Sequence, residues 1–157
     1  MYPRMDGGIM VRWIQIAGGC AMPTQSPSGS VCPYYFMGGE LHPLKYGSYF
    51  SDQEKLLAVM KAEEEFIQRS PGQKNRRIWI DLYETRLDGE AARALAAHLL
   101  AIESKILKLC FVGCSFFGAI RLRRQMAALG LAAWKNARFF RDPEEAKRWL
   151  VGKDRVT

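Results

Sequence analysis

The sequence predicts an α/β domain: a mixed, largely parallel sheet with about four helices, preceded by an irregular N-terminal segment. Three observations carry this prediction. From residue 51 onward, short β-prone runs alternate with helical stretches, the order expected of βαβ units. Two of those runs, Ile78–Tyr83 (IWIDLY) and Ile106–Val112 (ILKLCFV), are compact, apolar and rich in β-branched or aromatic residues, as strands buried on both faces are. The helical stretches carry their own start and stop signals.

The elements follow in order. Ile9–Ile16 (IMVRWIQI) is β-prone. Residues 18–33 gather Gly, Pro and Ser and read as a loop flanked by Cys20 and Cys32. Those two thiols either meet across a hairpin or stay reduced, and the reduced reading is preferred for a cytosolic chain. Tyr34–Met37 is a short aromatic strand closed by Gly38-Gly39, and Leu44–Phe50 is another strand-like stretch. Met22 and Met37 are alternative starts, so residues 1–40 read as an extension or arm, 41–152 as the domain and 153–157 as a tail.

Ser51-Asp52-Gln53-Glu54 has the capping-box pattern, with Ser51 as N-cap of a helix running to about Arg69. Leu56, Val59, Met60, Phe66 and Ile67 form its apolar side, and Glu63, Glu64 and Glu65 are expected on the opposite face. After the strand at 78, Asp88 caps a second helix from Gly89 to about Ser104, with Ala92, Leu95, Leu99 and Ile102 inward. After the strand at 106, Gly113-Cys114-Ser115 turns into a third helix, about Phe116 to Leu129, stopped by Gly130. Ala137–Phe140 is a short strand. Asp142-Pro143-Glu144-Glu145 opens the last helix, which ends near Val151-Gly152.

The chain has 157 residues, 48% of them hydrophobic and 25% charged, which suits one globular domain and excludes collagen-like, mucin-like and wholly disordered classes. No apolar run reaches the ~18 residues of a membrane span, and no secretory leader is evident, so a cytoplasmic location is expected. The net charge of +7 is unevenly placed: residues 1–75 hold seven basic and seven acidic side chains, residues 76–157 sixteen and nine. Such a basic half is either solvated helix surface, the preferred reading, or a face for an anionic partner.

Few residue patterns point to chemistry. His42 and His98 have no second ligand at a metal-binding spacing, and Cys110 and Cys114 are not a CxxC knuckle, so neither metal nor cofactor is expected. Cys114 stands where a strand meets a helix N-terminus, where a dipole lowers thiol pKa, with His98 as a distant base; the preferred reading is a small residue in a tight turn. Gly113–Gly118 has glycines around an anion-accessible turn with Arg121 and Arg124 further on, but lacks the Lys-Ser/Thr ending of a phosphate loop. Arg121, Arg123, Arg124, Lys135, Arg138 and Arg141, with Trp134, Phe139 and Phe140 between, form a basic–aromatic cluster without a nucleic-acid motif, so nucleic acid is not the expected partner.

Three segments resemble the STAS domains (sulphate transporter and anti-sigma-factor antagonist), in their sporulation-antagonist-like branch. Ile78-Trp79-Ile80-Asp81-Leu82 looks like that family's central strand. Thr85-Arg86-Leu87-Asp88-Gly89-Glu90 looks like the loop and helix start that follow it. Arg138 through Leu150 looks like its closing strand, acidic cap and Ala…Trp-Leu helix. The resemblance covers about two-thirds of the chain, from Tyr46 to Leu150. It implies a non-enzymatic switch that docks on a protein partner of the kinase or anti-sigma type. The family's antagonists carry Asp-Ser-Ser-Gly, with a phosphorylated serine. Here Asp88 matches the Asp, while Gly89 and Glu90 stand at the serine positions and offer no hydroxyl. Either Glu90 fixes the loop in one charge state, or it is simply a favourable first-turn glutamate, the preferred reading.

The expected partner surface is Thr85, Asp88, Gly89 and Glu90 together with Cys114, Ser115, Phe116 and Phe117, because parallel sheets bind at the carboxyl ends of their strands. Arg121, Arg124, Lys135 and Arg138 are the accompanying basic patch. The alternative is a carrier for a small apolar or anionic ligand, with Phe116, Phe117 and Trp134 lining a pocket; an enzyme using Cys114 is a further competitor. Residues 9–37 are also a candidate arm across a homodimer.

Overall fold

The computed structural model describes residues 24–32, 34–69, 76–131 and 135–152. The 9–16 run, Cys20, Trp134 and the 153–157 tail lie outside the described residues. Two strands, β1 (Thr24–Gln25) and β2 (Val31–Cys32), form an antiparallel pair. A five-stranded sheet follows in the order β3 (Tyr34–Phe36), β4 (Gly39–Lys45), β5 (Arg76–Asp81), β6 (Ile106–Val112), β7 (Arg138–Phe140). The helices are α1 (Gln53–Arg69), α2 (Gly89–Ala101), α3 (Phe116–Ala128) and α4 (Pro143–Val151).

β3 runs antiparallel to β4, and the other sheet pairings are parallel. The α/β class and the mixed, largely parallel sheet are therefore as the sequence predicts. Because β4 to β7 are adjacent in sequence order, right-handed crossovers carry α1, α2 and α3 to the same face. The core on that face joins Leu44, Ile78, Ile80, Leu109 and Phe111 of the sheet to Met60, Ile67, Leu95, Leu99 and Met126 of the helices. α4 follows the last strand and covers the opposite face, packing Ala146 and Leu150 on Leu41, Cys110 and Val112. The central strands are thus covered on both sides, which is why β5 and β6 read as near-continuous apolar runs.

Local chemistry explains the boundaries. Asp88 Oδ1 accepts from Ala91 N, Ser115 Oγ from Gly118 N and Asp142 Oδ1 from Glu144 N, each at a helix start. The expectation of Ser51 as the first cap is corrected by one residue: Asp52 Oδ1 accepts from Lys55 N, and the helix begins at Gln53. The second helix stops at Ala101, and Glu103–Lys105 form a single 3₁₀ turn. The strand expected over 44–50 lies instead at Gly39–Lys45, and 46–50 is a loop.

The packing around α1 corrects two more expectations. The Gly/Pro/Ser-rich segment contains the β1–β2 hairpin, so it is not a plain loop. Glu63 does not lie on a solvated helix face: it is completely buried, Glu64 is partly covered, and only Glu65 of the three is exposed. The hairpin is the reason. Ser26 Oγ and Ser28 N donate to Glu63 Oε1 at 2.6 and 2.8 Å. The same hairpin covers the part of the β4 edge that β3 does not reach, and Lys45 N donates to Ser28 Oγ at 3.1 Å. Tyr46 N points inward to Asp81 O, so alternation turns the nitrogens of Pro43 and Lys45 outward. Pro43 offers no N–H there, and Ser28 occupies the other, which blunts this edge against strand addition.

Candidate functional site

The carboxyl ends of β4, β5 and β6 carry three loops, 46–50, 82–88 and 113–115. The first two continue as an irregular ladder beyond the strands. Ser48 N donates to Tyr83 O, Phe50 N to Glu84 O and Arg86 N to Phe50 O, at 2.6, 2.7 and 2.8 Å. Thr85 fastens them together: its Oγ1 donates to Tyr46 O and accepts from Tyr49 N. The Thr85 hydroxyl is therefore fully engaged in holding the rim. Asp81 Oδ1 accepts from Tyr83 N, turning the chain as β5 ends.

The third loop closes against the second. Tyr83 lies over Gly113, where a Cβ would stand 2.5 Å from the ring, and the Tyr83 hydroxyl donates to Arg141 O. Gly113 has φ +77°, so both the backbone and the ring above it require glycine. Ser48, Phe50 and Glu84 also have positive φ without being glycine. Each such residue costs about 1 kcal/mol or more and persists only where its surroundings hold it.

This rim exposes aromatic side chains. Phe116 and Phe117 are 73% and 68% exposed and meet edge-to-face at 5.5 Å, while Phe50 and Tyr83 are also exposed. Trp134, the third residue of the pocket expected around Phe116 and Phe117, lies outside the described residues. A pocket lies between α1 and α2: about 360 Å³ with a floor of Leu56, Leu57, Ala91, Ala94 and Ala97 and with Gln53, Glu90 and Arg93 at its edge. Glu90 is exposed in the first turn of α2. Asp88 caps that helix and also accepts from Gln53 Nε2, which ties the starts of α1 and α2 together.

Of the expected surface, the structure brings Thr85 and Asp88 into the framework of the rim and places Gly89, Glu90, Ser115, Phe116 and Phe117 at its outside. Cys114 is half-buried behind them, and burial pushes its thiol up to about 11. The helix start does not activate it. His98 is not beside it either, since it is committed to Tyr46 and Glu64. Gly113–Gly118 offers little to an anion: Gly113 N donates to Phe140 O, and Gly118 N to Ser115 Oγ.

The basic patch divides. Arg121 and Arg124 are exposed on α3, and Arg121 Nη1 donates to Leu87 O at 3.1 Å. Lys135 is exposed ahead of β7. Arg138 lies on the other face of the sheet, its guanidinium over the Trp149 ring at 5.4 Å. Arg123 covers Phe139, which stacks on core Phe111 at 4.8 Å. Phe139 and Phe140 are thus structural, with Phe140 packed beside Trp149.

Sequence reasoning missed a second constellation, buried beneath α1. His42 Nδ1 faces Arg76 Nη1, which is always a donor, so Nδ1 accepts and the ring proton sits on Nε2, 3.8 Å from Glu63 Oε2. The Cys32 sulfur lies 3.6 and 3.9 Å from the two ring nitrogens. One helix step away, Tyr46 Oη donates to His98 Nε2 at 2.7 Å, and His98 Nδ1 donates to Glu64 Oε2 at 3.3 Å. Both histidines of the chain are therefore held under α1, each by one of two consecutive glutamates. Burial lowers the pKa of both, against their carboxylate partners, so both are neutral at pH 7. Burial alone raises Glu63, but His42, Ser26 and Ser28 outweigh it, and the carboxyl stays below its ordinary value. Burial, then the charge of Glu63, pushes the Cys32 thiol up to about 12. With Nδ1 occupied by Arg76 and the thiol protonated, Cys32–His42–Glu63 is a packed polar cluster and not an activated nucleophile. The signal that pointed to it was the interrupted periodicity of α1, where Glu63 falls between Met60 and Ile67 on the inward side.

No cluster of three or more metal-ligating side chains occurs among the described residues, and no described helix is long and apolar enough to cross a membrane. Compared with known proteins, the chain matches no family model, no curated sequence and no solved structure.

Proposed function

We propose that this chain is a non-enzymatic protein-interaction module of the STAS kind, working in signalling or regulation, and that it docks through the rim at the carboxyl ends of its parallel strands. The observation that carries this reading is the pair Phe116–Phe117. Two adjacent phenylalanines more than two-thirds exposed forgo roughly 1.5–3 kcal/mol each that burial would return, and a partner surface recovers it. Aromatic anchors on a framework of fixed loops suit protein docking, since little order is lost on binding. The sequence likeness of the central strand, the 85–90 loop and the closing helix supports the family assignment.

The loop carries no serine at the family's phosphorylation positions, and Thr85 spends its hydroxyl on Tyr46 and Tyr49. The module therefore works in one charge state. The test has two arms. A photo-crosslinking amino acid at position 117 in the native cell is expected to capture a protein, and one on the outer face of α4, at Arg148, is not. Incubation with a co-purifying kinase is expected to leave residues 85–90 unphosphorylated. Equal capture from both positions, or stoichiometric phosphate on that loop, overturns the reading. The pocket between α1 and α2 favours a second reading, a small apolar ligand with a cationic edge contact at Arg93, and a saturable ligand displaced by Ala94→Trp would establish it.

A further inference from the structure

The β1–β2 hairpin is attached to the rest of the fold in an unusual way. Of residues 24–32, only Ser26, Ser30 and Cys32 are buried. The hairpin contributes two hydroxyls and one thiol to the interior and almost no apolar area, so the hydrophobic effect holds it weakly. Polar contacts remain. Ser26 Oγ and Ser28 N both end on Glu63 Oε1, and Lys45 reaches Ser28 Oγ with its backbone N and Gly29 O with Nζ. A single carboxylate oxygen thus receives the two shortest of the four.

Each partner of this latch also has contacts of its own. The tip keeps its own shape: Ser26 N donates to Ser30 O, Gly29 N to Ser26 O and Ser30 N to Ser26 Oγ. α1 keeps its own place, through Leu56, Met60 and Ile67 in the core. If the hairpin lifts, Glu63 Oε1 meets water, so no buried charge is stranded by the motion. Cys32, which the hairpin carries inward against His42, then meets solvent, as does His42 beneath it.

We propose that residues 24–32 form a strap latched to α1 by the Glu63 carboxylate, which opens as one unit while the five-stranded sheet and its helices stay folded, and so gates access to the Cys32 thiol. This goes beyond the docking rim and does not depend on it. Local opening of this kind is expected where few apolar contacts cross from a segment to the core.

Hydrogen exchange on the full chain at pH 7, read by mass spectrometry, tests it. Peptides covering 24–32 are expected to exchange at least about tenfold faster than those covering Ile106–Val112. Ser26→Ala and Glu63→Gln are each expected to speed the hairpin by about a further tenfold, the effect of losing or weakening a charge-assisted hydrogen bond, and to leave Ile106–Val112 unchanged. Iodoacetamide labelling should follow the same order at Cys32, with buried Cys110 as the fixed reference. Exchange of the hairpin in step with β6 in the wild-type protein overturns the proposal. So does an unchanged hairpin in Ser26→Ala, a substitution small enough to fold if Glu63→Gln does not, or equal acceleration of hairpin and β6 in either variant.

Discussion

The rim and the seam beneath α1 break the same rule in opposite directions. At the rim, apolar groups face water: Phe50, Tyr83, Phe116 and Phe117. In the seam, ionisable groups avoid it: His42, Glu63, Arg76 and His98. The difference lies in where their partners are. Each seam histidine has a carboxylate and a donor within the chain, so the fold itself balances the loss of water. The rim aromatics have a firm base but nothing in front of them. Among the described residues, the histidines are paired from within, although Glu63 Oε2 and the Nε and Nη2 of Arg76 find no hydrogen-bond partner; the rim phenylalanines have no such internal pairing. The steepest test of that contrast is whether the rim is as tightly built as the seam despite its exposure. Gly113→Ala puts a Cβ against the Tyr83 ring at a positive φ, and is expected to cost about 2–4 kcal/mol in urea denaturation. A cost below about 1 kcal/mol would mean that the rim gives way easily and is no prepared surface.

The seam can be opened from its own side by Tyr46→Phe. The ring still fills its place in the core, but His98 Nε2 loses the hydroxyl that donates to it at 2.7 Å. An unpartnered buried acceptor costs about 1–3 kcal/mol, and the loss should appear as a lower urea midpoint with an unchanged slope. His98→Phe in the same background should then cost little more, because the unpaired group is gone. Additive losses would show that the two residues act separately and that the seam is not a connected network.

Acid separates the two regions further. His42 and His98 have folded-state pKa values below 6.5, the unfolded value, so the unfolded chain binds protons that the folded one refuses. Stability is therefore complete above about pH 6.5 and falls as pH drops below it, by roughly 1 kcal/mol per pH unit for each histidine while it stays neutral in the fold. Glu63, whose folded pKa is also lowered, adds loss in the same direction below its ordinary carboxylate range. Urea midpoints at pH 7.5, 6 and 5 are expected to decline in that order, and the decline should shrink in His98→Phe. A flat profile would mean that the buried histidines gain compensating partners on protonation.

How much of this was legible depended on how local the cause is. Asp88, Ser115 and the Asp142-Pro143 start are written in adjacent residues, and the structure places those caps within one or two positions of the sequence reading. β5 and β6 are legible because burial on both faces leaves a continuous apolar run. Glu63-Glu64-Glu65 misled because a run of three charges usually marks a solvated face, and only the hairpin 35 residues upstream, bonded to Glu63, changes that. Tyr46 and His98 stand 52 residues apart and share no pattern, so their contact exists only once β4 and α2 have packed. At the candidate site, the loop positions were legible from strand ends. The role of Thr85 as a brace was not, since a threonine in a loop has many uses and its two partners come from another loop.

The smallest expected effect says most about the rim. Phe116→Ser with Phe117→Ser removes two rings whose main contact, apart from solvent, is each other, at 5.5 Å edge-to-face. Such a pair contributes about 0.5–1.5 kcal/mol beyond area when packed, and less when both rings are wet. Ser115 still caps α3, and serine in the first turn is tolerated. The double variant should therefore keep its urea midpoint within about 0.5 kcal/mol of the wild type, while no longer pulling down the protein that the crosslinker at position 117 captures in the otherwise unaltered chain. A clearly destabilised variant would mean that the rings brace the fold from within. They would then belong with the seam as internal structure, and the argument that something outside the chain must cover them would fail.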